Sequence, residues 1–244
     1  MSRSVKSGST SRKKGASHAM DVPDFKSPTY FMPLKMVEFY QEKFDEMKEK
    51  EKEYTDLDRS EIEERLGIAH FYYGSFHKAT IHLESALKTR KKLKYSKSNA
   101  RMLVLIGICQ FRCKDLEGAH SNFEEVAKNS AKSHPKYAVV AYGNLALTIS
   151  HEGAQHTKAS VENAKKGIDL AIKCSKGDKS SPLVLGVAKI LVSIYLRTNE
   201  ITKAENLLYN FQFPKNESVL LQAGCKFASG NIDDANSLLE MYLE

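Results

Sequence analysis

Residues 151–156 read HEGAQH, two histidines and a glutamate, the side chains from which a hydrolytic zinc site is built. A single helix holds zinc through histidines at i and i+4, because that spacing projects both imidazoles from one face. Here the histidines are five residues apart, which turns the second away from the first by roughly 140° on an α-helix. Gly153 interrupts the would-be helix, and no third ligand stands at a matching spacing. The stretch is therefore read as a turn that meets solvent or a partner, with no metal.

Other chemistry fares no better. SKGDKSS at 175–181 lacks the glycine spacing of a phosphate loop, and no G-x-S-x-G elbow occurs. Cys109, Cys113, Cys174 and Cys225 make no CxxC pair and suit reduced thiols in a reducing, cytoplasmic compartment. His70 and His82 fall at helix-packing positions and are read as structural. No catalytic residues and no cofactor motif are left, so the sequence points to a protein that holds something rather than transforms it.

Charge narrows the partner. The chain carries a formal +7 over 244 residues, unevenly distributed. Residues 1–20 hold five basic and no acidic side chains, and residues 21–60 hold seven basic against eleven acidic. The remainder is mildly basic, which does not demand a nucleic-acid channel. RKK at 12–14 is a solvated tail, with a nuclear signal or polyanion contact as the alternative. No apolar core of a signal peptide opens the chain. The most apolar segment, Pro182 to Leu196, is too short to span a bilayer and carries Lys189.

The elements that must position any site follow from periodicity. Residues 1–20 have almost nothing to bury and are expected to be a disordered basic arm, continued by a connector with Pro23, Pro28 and Pro33. Over 34–57, Val37, Tyr40, Phe44, Met47 and Tyr54 make one apolar stripe on a charged helix. From residue 60 to 244 a pattern repeats, as in LGIAHFYYGSFHKATIHLESAL and IGICQFRCKDLEGAHSNFEEVA. Ala79, Ala119, Ala204 and Ala235 are each followed four residues later by Leu83, Phe123, Leu208 and Leu239. The small residue lets paired antiparallel helices approach and the large one fills the space behind. YGSF, CKDL, TNEI and SGNI are the turns between them. A third unit has Gly143 where others have Gly67 and Gly107, with Ala164 and Ile168 as its small and large residues. It is longer by about nine residues, in its turn or its first helix.

This pattern resembles the tetratricopeptide repeat. Leu66, Gly67, Gly74, Phe76, Ala79, Leu83 and Ala86 match it in the first unit, and Ile106, Gly107, Leu116, Ala119 and Phe123 in the second. Leu191, Tyr195, Ala204 and Leu208 match in the fourth, and Gly230, Ile232, Ala235 and Leu239 in the fifth. The 40-residue step from Ala79 to Ala119 exceeds the usual length, and AYGNLAL is similar to the lengthened repeats of kinesin light chains and spindle-orientation adaptors.

The resemblance implies an all-α, right-handed superhelical solenoid of about five hairpins with a concave groove lined by each first helix. Glu64, Ile68, Phe71, Arg101, Arg112, Asn144, Lys189 and Arg197 are then expected to face inward. Four of them are basic, favouring an acidic or acidic-hydrophobic protein segment. Asn144 would hold a peptide's backbone amide. FYY at 71–73 would be core plus groove lining. The carboxylate clamp of chaperone-binding repeats would need Lys and Asn where Glu64 and Ile68 stand, which argues against that subtype.

The expected function is a non-enzymatic adaptor, with a cytoskeletal or ciliary motor complex as one setting. The alternative is a nucleic-acid-associated factor that uses the arm and the groove. The apolar run in SLLEMYLE raises a further expectation, self-association or partner docking through the last helix.

Overall fold

A computed structural model describes residues 32–96 and 99–243, and among them every regular element is helical. The expected basic arm and most of its connector fall on residues 1–31, outside the described residues. Among the described residues eleven α-helices follow in order: α1 Pro33–Glu49, α2 Asp56–Tyr73, α3 Phe76–Lys92, α4 Asn99–Arg112, α5 Leu116–Asn129, α6 Pro135–Glu152, α7 Thr157–Cys174, α8 Pro182–Arg197, α9 Ile201–Asn210, α10 Lys215–Ala228 and α11 Ile232–Leu243. Short 3₁₀ turns lie at Glu51–Glu53 and Ala154–His156.

Local chemistry sets these limits. α2 begins on a capping box, in which the Thr55 hydroxyl accepts from the Asp58 amide while the Asp58 carboxylate accepts from the Thr55 amide at 3.0 Å. The turns YGSF, CKDL, TNEI and SGNI share one backbone device. Their second residues, Gly74, Lys114, Asn199 and Gly230, all have φ between +58° and +86°. In each turn that residue's N–H and the next one's return to carbonyls of the preceding helix, as Gly74 does to Phe71 and Ser75 to His70. This closes the last helical turn and reverses the chain. Glycine adopts such a φ without strain and asparagine tolerates it, as at Asn199, whereas Lys114 does so at a cost of about 1–2 kcal/mol.

The helices pair as α2–α3, α4–α5, α6–α7, α8–α9 and α10–α11. Glycines mark the closest approaches: a Cβ on Gly67 would lie 2.7 Å from Leu83 Cγ, and one on Gly107 would lie 2.7 Å from Phe123 Cε1. Ala79, Leu83, Ala119 and Phe123 are fully buried, as their repeat positions require.

The third hairpin resolves its extra residues as helix rather than loop. α6 runs nine residues beyond Gly143, and α7 begins seven before Ala164. The added turn is fastened by the buried Ser160 hydroxyl, which donates to the Ala146 carbonyl at 2.6 Å. Gly167 keeps α7 close to α6, since a Cβ there would meet Tyr142 Cβ at 3.0 Å. His151 and Glu152 consequently end a helix, and the turn starts only at Gly153.

The five hairpins stack as a right-handed superhelical solenoid. The first helices touch in sequence, α2 to α4, α4 to α6, α6 to α8 and α8 to α10. Among the described residues the backbones of successive second helices stay apart, and α3 reaches α5 only through a side-chain pair, Lys91 Nζ to Glu125 at 3.7 Å. An inner row that touches and an outer row that spreads makes a curved wall, concave on the side of α2, α4, α6, α8 and α10. α1 packs on α2 through Met36, Tyr40 and Met47, which are buried, and Phe44 meets His82 of α3 edge to face at 5.2 Å. Tyr54 lies beyond the end of α1.

Candidate functional site

The inner wall is built from one stripe of each inner helix, and contacts between neighbouring helices fix which stripe. Glu64 of α2 meets Arg101 of α4, and Phe111 of α4 meets His151 of α6 edge to face at 5.1 Å. Ser150 of α6 lies 3.3 Å from Arg197 of α8, and Lys189 of α8 lies 3.1 Å from Glu217 of α10. A Cβ on Gly224 of α10 would touch Leu196 of α8. These links tie all five inner helices into one surface.

Along that surface runs an apolar column. Phe71, Phe111, Leu196 and Phe227 each stand three residues before the left-handed turn residue of their hairpin. Ile68, Ile108 and Leu147 lie beside them, half-buried, while Leu220 and Phe227 are exposed on α10. One residue beyond the column stand Tyr72, Arg112 and Arg197, all exposed at the ends of their helices. Among the described residues no ion pair involves Arg112 or Arg197. The groove therefore has an apolar strip with two unneutralised guanidinium groups on one rim.

The eight residues expected to face inward divide into four kinds. Ile68, Phe71, Arg112 and Arg197 belong to the strip and rim. Arg101 and Lys189 are on the wall but each is engaged by a carboxylate, Glu64 and Glu217 respectively. Asn144 is half-buried, and its Nδ2 donates to the Val140 carbonyl of its own helix at 2.8 Å. Glu64 is buried between α2, α3 and α4, with Arg90 Nη1 at 2.7 Å from one oxygen and Arg101 on the other. It is a structural anion, closed to a ligand.

The sequence reading missed His151, Leu220 and Phe227 as groove residues. Phe227 was legible in principle, because its spacing from the turn glycine repeats that of Phe71. His151 was not, because only the added helical turn of α6 carries it to Phe111. Its imidazole is pushed below the usual histidine range, first by burial and then by the nearby Arg197 guanidinium. Glu152 turns to the other side and meets His120 Nδ1 at 2.8 Å. His156 sits in the 3₁₀ turn. The glutamate and histidines of HEGAQH thus have separate surroundings. Among the described residues no cluster of three metal-ligating side chains occurs.

His70 and His82 stack at 5.6 Å behind the wall, with ring planes 7° apart. Burial lowers both, His82 to about 4. Among the described residues no helix is long and apolar enough to cross a membrane.

Neither a protein-family model nor a curated protein sequence matches the chain. Solved structures do match its fold. BtubC (BKLC) from P. vanneervenii superposes with a TM-score of 0.64 at 13% identity, over 86% of this chain and 89% of that one. A Podosopora anserina putative kinesin light chain with nearly identical TPR-like repeats gives 0.61 at 16% identity, over 81% and 89%. TTC0263, a thermophilic TPR protein of Thermus thermophilus, gives 0.55 at 17% identity, over 75% and 90%. This chain has the tetratricopeptide-repeat fold. In a tetratricopeptide array the inner helices carry the concave wall, which is where contacts from Glu64–Arg101 to Lys189–Glu217 place it here. At these identities the likeness concerns the fold alone.

Proposed function

We propose that the array is a non-enzymatic adaptor whose concave wall takes an extended or helical segment of a partner protein, apolar with acidic side chains. The observation that carries this reading is the juxtaposition of the Phe71–Phe111–Leu196–Phe227 column with the unneutralised Arg112 and Arg197. Apolar side chains of a segment would lie on the column, and its carboxylates would reach the arginine rim, where charge-assisted hydrogen bonds set register. Asn144 serves this reading only if its side chain exchanges the Val140 carbonyl for a segment amide.

Selection from a random peptide library against the purified protein tests the proposal. Enriched sequences should combine aromatic or aliphatic residues with Asp or Glu, and their affinity should fall at least tenfold for the Arg112→Glu, Arg197→Glu double variant. Enrichment without acids, or affinity indifferent to both changes, overturns it. The nucleic-acid alternative draws less support from the wall, because carboxylates engage Arg101 and Lys189. Binding of single-stranded nucleic acid with a steep salt dependence would restore it. Membership of a cytoskeletal or ciliary motor complex is a narrower proposal, tested by co-sedimentation of the protein with microtubule–motor assemblies.

A further inference from the structure

Each second helix before the last is covered on two sides, by its own inner helix and by the next. α3 touches α2 and α4, α5 touches α4 and α6, α7 touches α6 and α8, and α9 touches α8 and α10. Among the described residues α11 packs on α10 alone. The consequence is visible at equivalent positions. Four, seven and eight residues after the small alanine stand Leu83, Ala86 and Leu87 in the first hairpin, exposed by 0%, 0% and 7%. The second hairpin has Phe123, Val126 and Ala127 there, none exposed by more than 1%. In the last hairpin Leu239, Tyr242 and Leu243 stand there, exposed by 40%, 42% and 83%. Ile232, also exposed, continues this stripe seven residues before Leu239. It has the residue types and helical spacing of a surface that packs against an inner helix, and it lies open.

Charge indicates what kind of helix fits. α11 carries Asp233, Asp234 and Glu240 and no basic residue. Asp233 and Glu240 are seven apart and follow Ile232 and Leu239 directly, so they run along one edge of the stripe. Neither takes part in an ion pair among the described residues, whereas Asp234 accepts from Asn231 at 2.8 Å. Neither α11 nor α1 of a second copy matches this acidic edge. α11 against α11 sets acids against acids, and α1 has three lysines against five acids.

We propose that α11 is a second docking site, independent of the groove, for an amphipathic helix of a partner protein with Lys or Arg flanking its apolar face. The helix packs across Ile232, Leu239, Tyr242 and Leu243 in the place of a sixth inner helix. Its cations sit seven residues apart and meet Asp233 and Glu240. Burial of the exposed leucines drives association and the acidic edge selects the partner.

Two synthetic helical peptides with the same apolar stripe, one flanked by lysines and one by glutamates, test this on the 244-residue chain by fluorescence anisotropy. The lysine peptide should bind. It should lose at least tenfold in affinity with Leu239→Asn, Leu243→Asn and with Asp233→Lys, Glu240→Lys, and the latter variant should prefer the glutamate peptide. The Arg112→Glu, Arg197→Glu variant should bind the lysine peptide unchanged, which separates this site from the groove. These substitutions lie on exposed positions, and circular dichroism confirms that the variants fold. Failure of the lysine peptide to bind, equal binding of both peptides, or indifference to the leucine changes overturns the proposal. So does a dimer in sedimentation that the leucine changes dissociate, which would make a second copy the occupant.

Discussion

Glu64 shows how far a side chain's type can mislead about its role. Its repeat position is that of a groove residue, yet Arg90 and Arg101, distant in sequence, fold around it and close it off. Removing one partner of a buried ion pair leaves the other charged without solvent, at about 3–5 kcal/mol. Glu64→Leu should therefore lower stability by about that amount in urea unfolding, and adding Arg90→Leu should recover part of it, because no fully buried charge is then left. His82 offers a second test at this scale. It lies among Phe44 and Lys48 of α1, His70 of α2 and Lys78 of its own helix, and burial lowers it to about 4. The folded state resists its protonation while the unfolded state accepts a proton near pH 6.5. Stability is thus retained above about 6.5 and lost as pH falls toward 4. His82→Phe should flatten thermal stability across that window relative to the parent. An unchanged slope would place the lowered histidine elsewhere, with His70 the next candidate.

At the scale of elements, the third hairpin separates length from irregularity. Its additional residues read equally well as a loop or as longer helices, because its run of serine, histidine, threonine and glycine favours neither strongly. The structure makes them helix because Ser160 can bond the Ala146 carbonyl and Gly167 lets α7 lie against Tyr142. Ser160→Ala should cost about 1 kcal/mol, seen as a fall of about 2–4 °C in the melting temperature. Ser160→Val should cost more, since a larger apolar side chain must fit a fully buried site that it fills poorly. The four other hairpins were readable down to the turn. YGSF, CKDL, TNEI and SGNI end their first helices with the same left-handed residue, and each begins the next element within two residues.

For the whole molecule, a solenoid's stability is a sum over neighbours. α6 and α8 have neighbours on several sides and sit among the buried residues of a core that runs from Val139 to Cys225. Among the described residues α11 has one neighbour and one buried residue, Ala235. Amide exchange followed by mass spectrometry should show protection highest in α6 and α8 and lowest in α11, with intermediate values in α10. A helix docked on Ile232, Leu239, Tyr242 and Leu243 should raise protection in α11 first. A groove ligand should instead protect the ends of α4 and α8, where Arg112 and Arg197 lie.

By itself the sequence determined the pairing of helices, because a small residue, a large one four later and a turn at fixed spacing can be satisfied only by hairpins that pack on one another. It also determined that the repeated alanines and their following large residues make the core of the early units. Tertiary structure alone decided which inward positions remain open. Glu64 is sealed, Arg101 and Lys189 are engaged, and Arg112 and Arg197 are left without a carboxylate, because each outcome depends on a charge that a neighbouring helix does or does not bring near. It decided likewise that His151 joins Phe111 on the wall while Glu152 turns to His120. Local spacing fixes the face of a helix, whereas what that face meets depends on residues dozens of positions away.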